Sequence, residues 1–287
     1  MVTNVANLLA RSTRYLESPG LRGEEPAKGT RTLILLHAFP LSADMWLPQL
    51  ARVPQGWRFI APDLRGFRGM GPAFEDPQLD GATMDDYARD ILDLMDHLDI
   101  PAAAIAGLSM GGYVAMALAA RAPQRVSHLI LADTKMTADT EEGRAGRDKM
   151  RAMVEQDGPP AVATAMLPKL LGATCHQEQP DLADAVRRLI EVNRAEAIAG
   201  AIGALKTRPD RSAALAALRV PALVICGEED ALTPRADSDA MVAAIPGATL
   251  AVLPRAGHLS NLERPAEFNA ALQNFLQSPG RQERHHE

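Results

Sequence analysis

Six stretches of this chain are almost entirely apolar and too short to form helices: Thr32–His37, Phe59–Asp63, Ala102–Ala106, His128–Ala132, Ala222–Cys226 and Thr249–Leu253. A short apolar run with no polar alternation suits a strand covered on both faces, as in a parallel sheet. Ser12–Glu17 is a further candidate strand, and Ser18–Thr30, rich in Gly, Pro and charge, reads as turn and loop. Helical patterns lie between the runs. Thr83-Met-Asp-Asp86 resembles a capping box, with Asp in place of the usual Glu or Gln, and Tyr87, Ile91, Leu94, Met95 and Leu98 follow at helical spacing. Met241–Ile245 belongs to a short helix closed by Pro246-Gly247. Arg264-Pro265 opens another, continued by Phe268, Leu272, Phe275 and Leu276. Strands alternating with helices predict an α/β fold with a doubly wound, mostly parallel sheet.

One segment departs from the alternation. From Thr134 to Ala214 the residues favour helix and offer no convincing strand. Twelve Lys or Arg balance twelve Asp or Glu there, and Met136, Met150, Met153 and Met166 supply adaptable apolar side chains. The segment reads either as a small helical subdomain or as a lid over a site. Residues 1–133 and 215–287 are then the core domain, and 134–214 a helical cap.

Chemistry concentrates at Gly107-Leu-Ser-Met-Gly-Gly112, between the run ending at Ala106 and the helical run Tyr113–Ala122. A serine pinched between small residues at a strand-to-helix turn has its hydroxyl forced outward, the arrangement of a nucleophile elbow. Ser109 then needs a base, because a serine hydroxyl is a poor nucleophile at neutral pH. Of the seven histidines, His97 and His128 sit within predicted elements, His176 in the cap, and His285 and His286 in the tail that begins at Ser278, which is expected to fray. His258 follows a strand and a short loop, at the carboxyl edge of the sheet where sites form. Asp230 follows another strand at the same edge and is the expected partner acid, with Glu228, Glu229 and Asp133 as rivals. The charge that develops on a substrate carbonyl calls for two backbone N–H donors. Met110, at the helix start, is one. The loop His37-Ala38-Phe39-Pro40 offers the other, and Phe39 is the expected donor because Pro40 has no N–H. Trp46 reads equally as a pocket wall beside Phe39 and Met110 or as core packing.

These motifs carry a resemblance. His37-Ala-Phe-Pro40, Ala61-Pro-Asp-Leu-Arg-Gly66, Gly107–Gly112, Gly227-Glu-Glu-Asp230 with Pro234, and Ala256-Gly-His258 occur in an order that resembles the α/β-hydrolase superfamily over about residues 31 to 277. The sequence is most like the branch holding 3-oxoadipate enol-lactonases, small bacterial esterases, cofactor-free haloperoxidases (perhydrolases) and C–C bond hydrolases. The resemblance implies Ser109, Asp230 and His258 as a catalytic triad, Phe39 and Met110 as oxyanion donors, a cap inserted after the sixth strand, and His37 as a loop-shaping residue. Two positions depart from the pattern: Ala38 stands where glycine is usual, and Phe67-Arg-Gly-Met-Gly71 replaces a Gly-x-Gly-x-Ser loop.

The expected activity is carboxylic ester hydrolysis, with lactonase, perhydrolase or C–C hydrolase chemistry as alternatives and a non-catalytic ligand receptor as the remote one. A serine at the elbow argues against dehalogenase and epoxide-hydrolase chemistry, which use an aspartate there. No metal or organic cofactor is expected. A net charge of −6 gives no footprint for nucleic acid. No apolar stretch is long enough for a membrane span, and the first residues lack the pattern of a signal peptide. The expectation is a cytoplasmic protein acting on a small ester or lactone, with Cys175 and Cys226 as unpaired thiols.

Overall fold

A computed structural model describes residues 15–18, 29–68 and 78–278. Its centre is a seven-stranded sheet: β1 (Tyr15–Glu17), β2 (Arg31–Leu36), β3 (Trp57–Pro62), β4 (Ala103–Leu108), β5 (Val126–Ala132), β6 (Ala222–Gly227) and β7 (Thr249–Leu253). The spatial order is β1-β3-β2-β4-β5-β6-β7, with β1 antiparallel to β3 and every other pairing parallel. Every expected strand is present. For Ser12–Glu17 only Tyr15–Glu17 falls among the described residues. Most of the loop that follows it, part of the Phe67–Gly71 loop, the first residues and the tail beyond Ser278 lie outside them.

Burial explains the sheet. Leu33, Ile34, Leu35 and Leu36 of β2 are fully covered, as are all six residues of β4. Each buried Leu or Ile among them contributes about 1.5–3 kcal/mol by leaving water. Aromatic residues make up only 4% of the chain, so this core is built chiefly from aliphatic residues.

Flanking the sheet are α1 (Leu47–Leu50), α2 (Met84–His97) and α3 (Met110–Arg121). The capping box of α2 forms as expected. The Asp86 amide donates to the Thr83 hydroxyl, and the Thr83 amide donates to the Asp86 carboxylate. The long connection from β5 to β6 holds six helices: α4 (Glu141–Asp157), α5 (Pro159–Leu170), α6 (Ala173–Glu178), α7 (Pro180–Glu191), α8 (Ala195–Thr207) and α9 (Ser212–Ala216). The insertion follows the fifth strand, not the sixth. Among the described residues the chain forms one strand fewer before it, because the amino-terminal side contributes only the short antiparallel β1. Beyond β6 come α10 (Arg235–Ala244), α11 (Ser260–Glu263) and α12 (Pro265–Gln277), the last beginning on its proline as expected.

The strand order sets the place of a site. After β2 the chain moves outward to β3, then crosses back over β2 to β4. The loops leaving the carboxyl ends of β2 and β4 therefore diverge and leave a crevice between them. The His37–Pro40 loop and the Ser109 turn sit on either side of that reversal. Cys175 and Cys226 are both buried and unpaired. Among the described residues no helix is long and apolar enough to cross a membrane.

Candidate active site

The turn at Ser109 is as sharp as its small neighbours suggest. β4 ends at Leu108, α3 begins at Met110, and Ser109 between them has φ 54° and ψ −111°. Holding a non-glycine residue there costs on the order of 1–3 kcal/mol, so surrounding contacts must impose it. The Ser109 amide donates to Ala132 O at 2.9 Å, and its carbonyl accepts from the Thr134 hydroxyl and the Gly112 amide, each at 2.9 Å. Two glycines let the backbones close up. A Cβ on Gly107 would lie 2.1 Å from Gly111 O, and one on Gly111 would lie 2.1 Å from Leu36 O. The first turn of α3 thus sits directly against the ends of β4 and β2.

His258, on the loop after β7, is brought to this serine. Its Nε2 lies 2.8 Å from Ser109 Oγ, and its Nδ1 lies 2.8 Å from Asp230 Oδ2. Asp230 follows β6, and its carboxylate also accepts from the Leu232 and Thr233 amides (2.8 and 3.1 Å) and from the Thr233 hydroxyl (2.6 Å). Burial alone would raise the Asp230 carboxyl. The positive imidazolium it faces, with these donors, outweighs burial and holds it below the usual range. For His258 burial would lower the value, but the charge and hydrogen bond of Asp230, aided by the nearby Asp133 and Glu263, raise it.

The rival acids are engaged elsewhere. Asp133 accepts from the Gly227 amide at 2.8 Å and from the Ser260 hydroxyl, tying the loop before Asp230 to the segment after His258. Its complete burial, beside the charge of Asp230, pushes its carboxyl up to about 8. Glu228 takes the Arg255 amide and Glu229 the Thr174 amide and hydroxyl. Of the other described histidines, His97 and His176 are exposed. His128 packs edge-on against Trp57 and Phe275, with ring centroids 6.2 and 5.6 Å apart. His37 accepts the Leu64 amide on Nε2 and hydrogen-bonds Ala38 O through Nδ1, each at 2.9 Å. That pairing requires the neutral Nδ1–H ring, and burial lowers its pKa to about 4. His37 pins its loop to the segment after β3.

Two supports were not legible in the sequence. Glu263, in α11, is buried and accepts from both amides that flank His258, Gly257 at 2.9 Å and Leu259 at 3.1 Å, and from the Gly172 amide of the insertion at 2.9 Å. Asn193, between α7 and α8, donates to Pro40 O at 2.9 Å and accepts from the Arg68 amide at 2.9 Å. The insertion is therefore stitched both to the histidine loop and to the loop that carries Phe39. Neither residue belongs to a local motif. Asn193 reaches Arg68 and Pro40 across 125 and 153 residues and Glu263 reaches Gly172 across 91, and only its position five residues beyond the histidine singles out Glu263.

A cavity of about 180 Å³ opens over Ser109 and His258. Phe39, Tyr113, Leu232 and Thr233 line it from the core, and Met150, Ala165, Met166 and Leu205 from the insertion. Lys135, Arg147 and Lys169 complete the wall. Trp46 does not join them. It is fully buried against Phe268, with ring centroids 5.9 Å apart, because the short helical turn that carries it points into the layer between the sheet and α12. Met110 likewise has its side chain in the core, leaving its amide as the part that could serve the site. The arrangement can deprotonate a hydroxyl, hold the resulting positive charge on an imidazole and meet an acyl carbonyl in a partly apolar space.

The sequence and the fold are similar to those of other proteins. A protein of Variovorax paradoxus named as carbamate hydrolase RutD is 33% identical over 255 residues, covering 88% of this chain and 93% of its own. The 3-oxoadipate enol-lactonase 2 of Acinetobacter baylyi is 30% identical over 244 residues, covering 85% of this chain and 88% of its own. Among solved structures, a thermophilic esterase from Thermogutta terrifontis, described as malate bound, superposes with a TM-score of 0.83 at 33% identity, covering 92% of each chain. The profile of the family described as having the alpha/beta hydrolase fold matches residues 31–265. That span runs from the first residue of β2 to the first of α12 and takes in the turn at Ser109, the insertion and the loops of Asp230 and His258, so the chain belongs to the α/β-hydrolase family.

Proposed function

We propose that this protein is a serine hydrolase that cleaves carboxylic esters of short to medium acyl chain through an acyl-enzyme. The observation that carries the reading is the unbroken relay from Ser109 Oγ through both nitrogens of His258 to Asp230, with 2.8 Å at each step.

In this reading Ser109 Oγ attacks the ester carbonyl while His258 Nε2 takes the hydroxyl proton, and Asp230 steadies the imidazolium that results. The oxyanion is held by the backbone N–H groups of Met110 and Phe39. The Met110 amide opens α3, where the helix itself offers it no partner and the dipole favours negative charge. Collapse of the intermediate breaks the bond to the alcohol, which leaves with the proton from His258. Water, deprotonated by His258, then releases the acid and restores the Ser109 hydroxyl. Residues 134–214 act as a cap that sets the acyl space through Met150, Met166 and Leu205.

Lactone opening is the second reading, favoured by the relative named as an enol-lactonase. A lactone is an internal ester, so the same steps apply and the leaving alcohol stays joined to the acyl group.

The test is hydrolysis of p-nitrophenyl acetate and butyrate by the purified protein and by Ser109→Ala. The reading expects turnover that falls by roughly 10⁴–10⁶-fold in the variant. Near-normal turnover in Ser109→Ala would overturn it. A parallel lactone series followed by acid release separates the two substrate classes.

A further inference from the structure

The wall of the cavity is unbalanced in charge. Among the described residues Lys135, Arg147 and Lys169 line it, and no Asp or Glu does. Composition does not produce this. The chain carries a net charge of −6, and residues 134–214, which supply all three cations, hold as many acidic as basic side chains. Nor are the charges cancelled locally. Lys135 is half-buried and Lys169 exposed, and among the described residues neither forms an ion pair. Lys135 is felt electrostatically by Asp237, which does not line the cavity.

Arg147 is held in place without being neutralised. Its Nε donates to Asp139 at 3.1 Å, and the same carboxylate accepts from the buried Arg208 at 2.7 Å. Burial alone would raise the Asp139 carboxyl, but the hydrogen bond from Arg208 and the two guanidinium charges hold it below its ordinary range. One negative charge therefore serves two guanidinium groups, and the set keeps a net positive charge. Arg208 is fixed in turn over the ring of Tyr113, 4.3 Å from its centroid, and Tyr113 also lines the cavity. Among the described residues the Arg147 Nη donors have no hydrogen-bond partner, and their planar geometry suits a carboxylate.

A small cleft lined by one sign of charge focuses the field on whatever enters it. We infer that the preferred substrates are esters or lactones that themselves carry a carboxylate, with Lys135, Arg147 and Lys169 receiving that anion while Ser109 meets the carbonyl. The inference rests on the hydrolase reading of this same site. The cavity of about 180 Å³, with apolar walls from Phe39, Met166 and Leu232, suits a short acyl chain ending in one small anion.

The experiment compares mono-p-nitrophenyl glutarate with p-nitrophenyl pentanoate, two esters of similar length that differ in one carboxylate. Wild type should favour the glutarate by roughly 10- to 100-fold in kcat/KM, the range set by charge-assisted hydrogen bonds. Added salt should shrink the preference. Lys135→Met and Lys169→Met should each lower the ratio of the two esters, and Lys135→Arg should restore it. The ratio is read within each variant, so a general loss of activity cancels. Equal turnover of both esters by wild type would remove the anion site and leave the hydrolase reading intact. Calorimetry of Ser109→Ala with 4-carbamoylbutanoate and with pentanamide reads the same preference without turnover. Carboxylate-selective binding there, with neither ester cleaved by wild type, would keep the anion site and remove the hydrolase reading. No selectivity in calorimetry and none in turnover would overturn the inference.

Discussion

The two walls of the cavity are built by opposite rules. On the core side Ser109, Asp230 and His258 are held by several hydrogen bonds each, and Ser109 by a strained backbone as well. On the insertion side Met150, Ala165, Met166 and Lys169 line the cavity from α4 and α5 with no side-chain hydrogen bond among the described residues, and Lys169 stands exposed. A reacting group gains from being fixed before the substrate arrives. A specificity surface needs only the right shape and charge, and methionine supplies shape adaptably.

Substitutions on the two walls should therefore differ in kind. The largest effect belongs to His258→Ala, expected to lower kcat by about 10⁴-fold or more with little change in KM. Met166→Ala on the opposite wall should alter KM and chain-length preference by less than about 10-fold and leave kcat nearly unchanged. A steady-state series of p-nitrophenyl esters checks both, and a collapse of kcat in Met166→Ala would erase the distinction.

Asp230→Asn follows in size, with a loss of up to about 10⁴-fold in kcat. Because Asp230 raises the value of His258, and the base must be neutral to act, kcat/KM of wild type should climb with pH through a midpoint above 6.5. In Asp230→Asn that midpoint should move down. Asp133→Asn keeps the contacts to Gly227 and Ser260 largely available and should lose less than about 10-fold. Equal losses in the two variants would mean that the acids had been assigned wrongly.

The core-side motifs were the legible part. The strands announced themselves by unbroken apolar runs, and the order of Ser109, Asp230 and His258 along the chain foretold their meeting at one sheet edge. The sequence favoured Asp230 over Asp133, Glu228 and Glu229, and hydrogen bonds separate the four, since all leave the same edge. The cationic lining was hidden for another reason. Lys135, Arg147 and Lys169 are scattered among nine other basic residues of the insertion, and no local pattern tells a cavity-facing lysine from a solvated one. Trp46 read equally as wall or core because the direction of a four-residue turn depends on what packs behind it, here Phe268.

Stability should divide along the same line. Leu35→Ala, in the centre of β2, is expected to cost about 2–5 kcal/mol, whereas Lys169→Ala on the insertion should stay within about 0.5 kcal/mol. Urea denaturation monitored by circular dichroism reads both. A smaller contrast concerns pH. His37 has its value lowered from 6.5 to about 4, so the unfolded chain binds the proton more readily, and stability falls as pH drops through that window. Its contribution is roughly 3 kcal/mol. His37→Gln should flatten the stability profile between those two values, measured by denaturation at each pH.

The proposed chemistry turns on Ser109 as the nucleophile and His258 as the base that activates it. Intact-protein and peptide mass spectrometry after treatment with a serine-directed organophosphonate tests it most directly. One adduct per chain is expected, on the peptide containing Ser109, formed rapidly in wild type and at least about 10³-fold more slowly in His258→Ala. An adduct on another residue, or ester turnover that survives complete modification of Ser109, would contradict it.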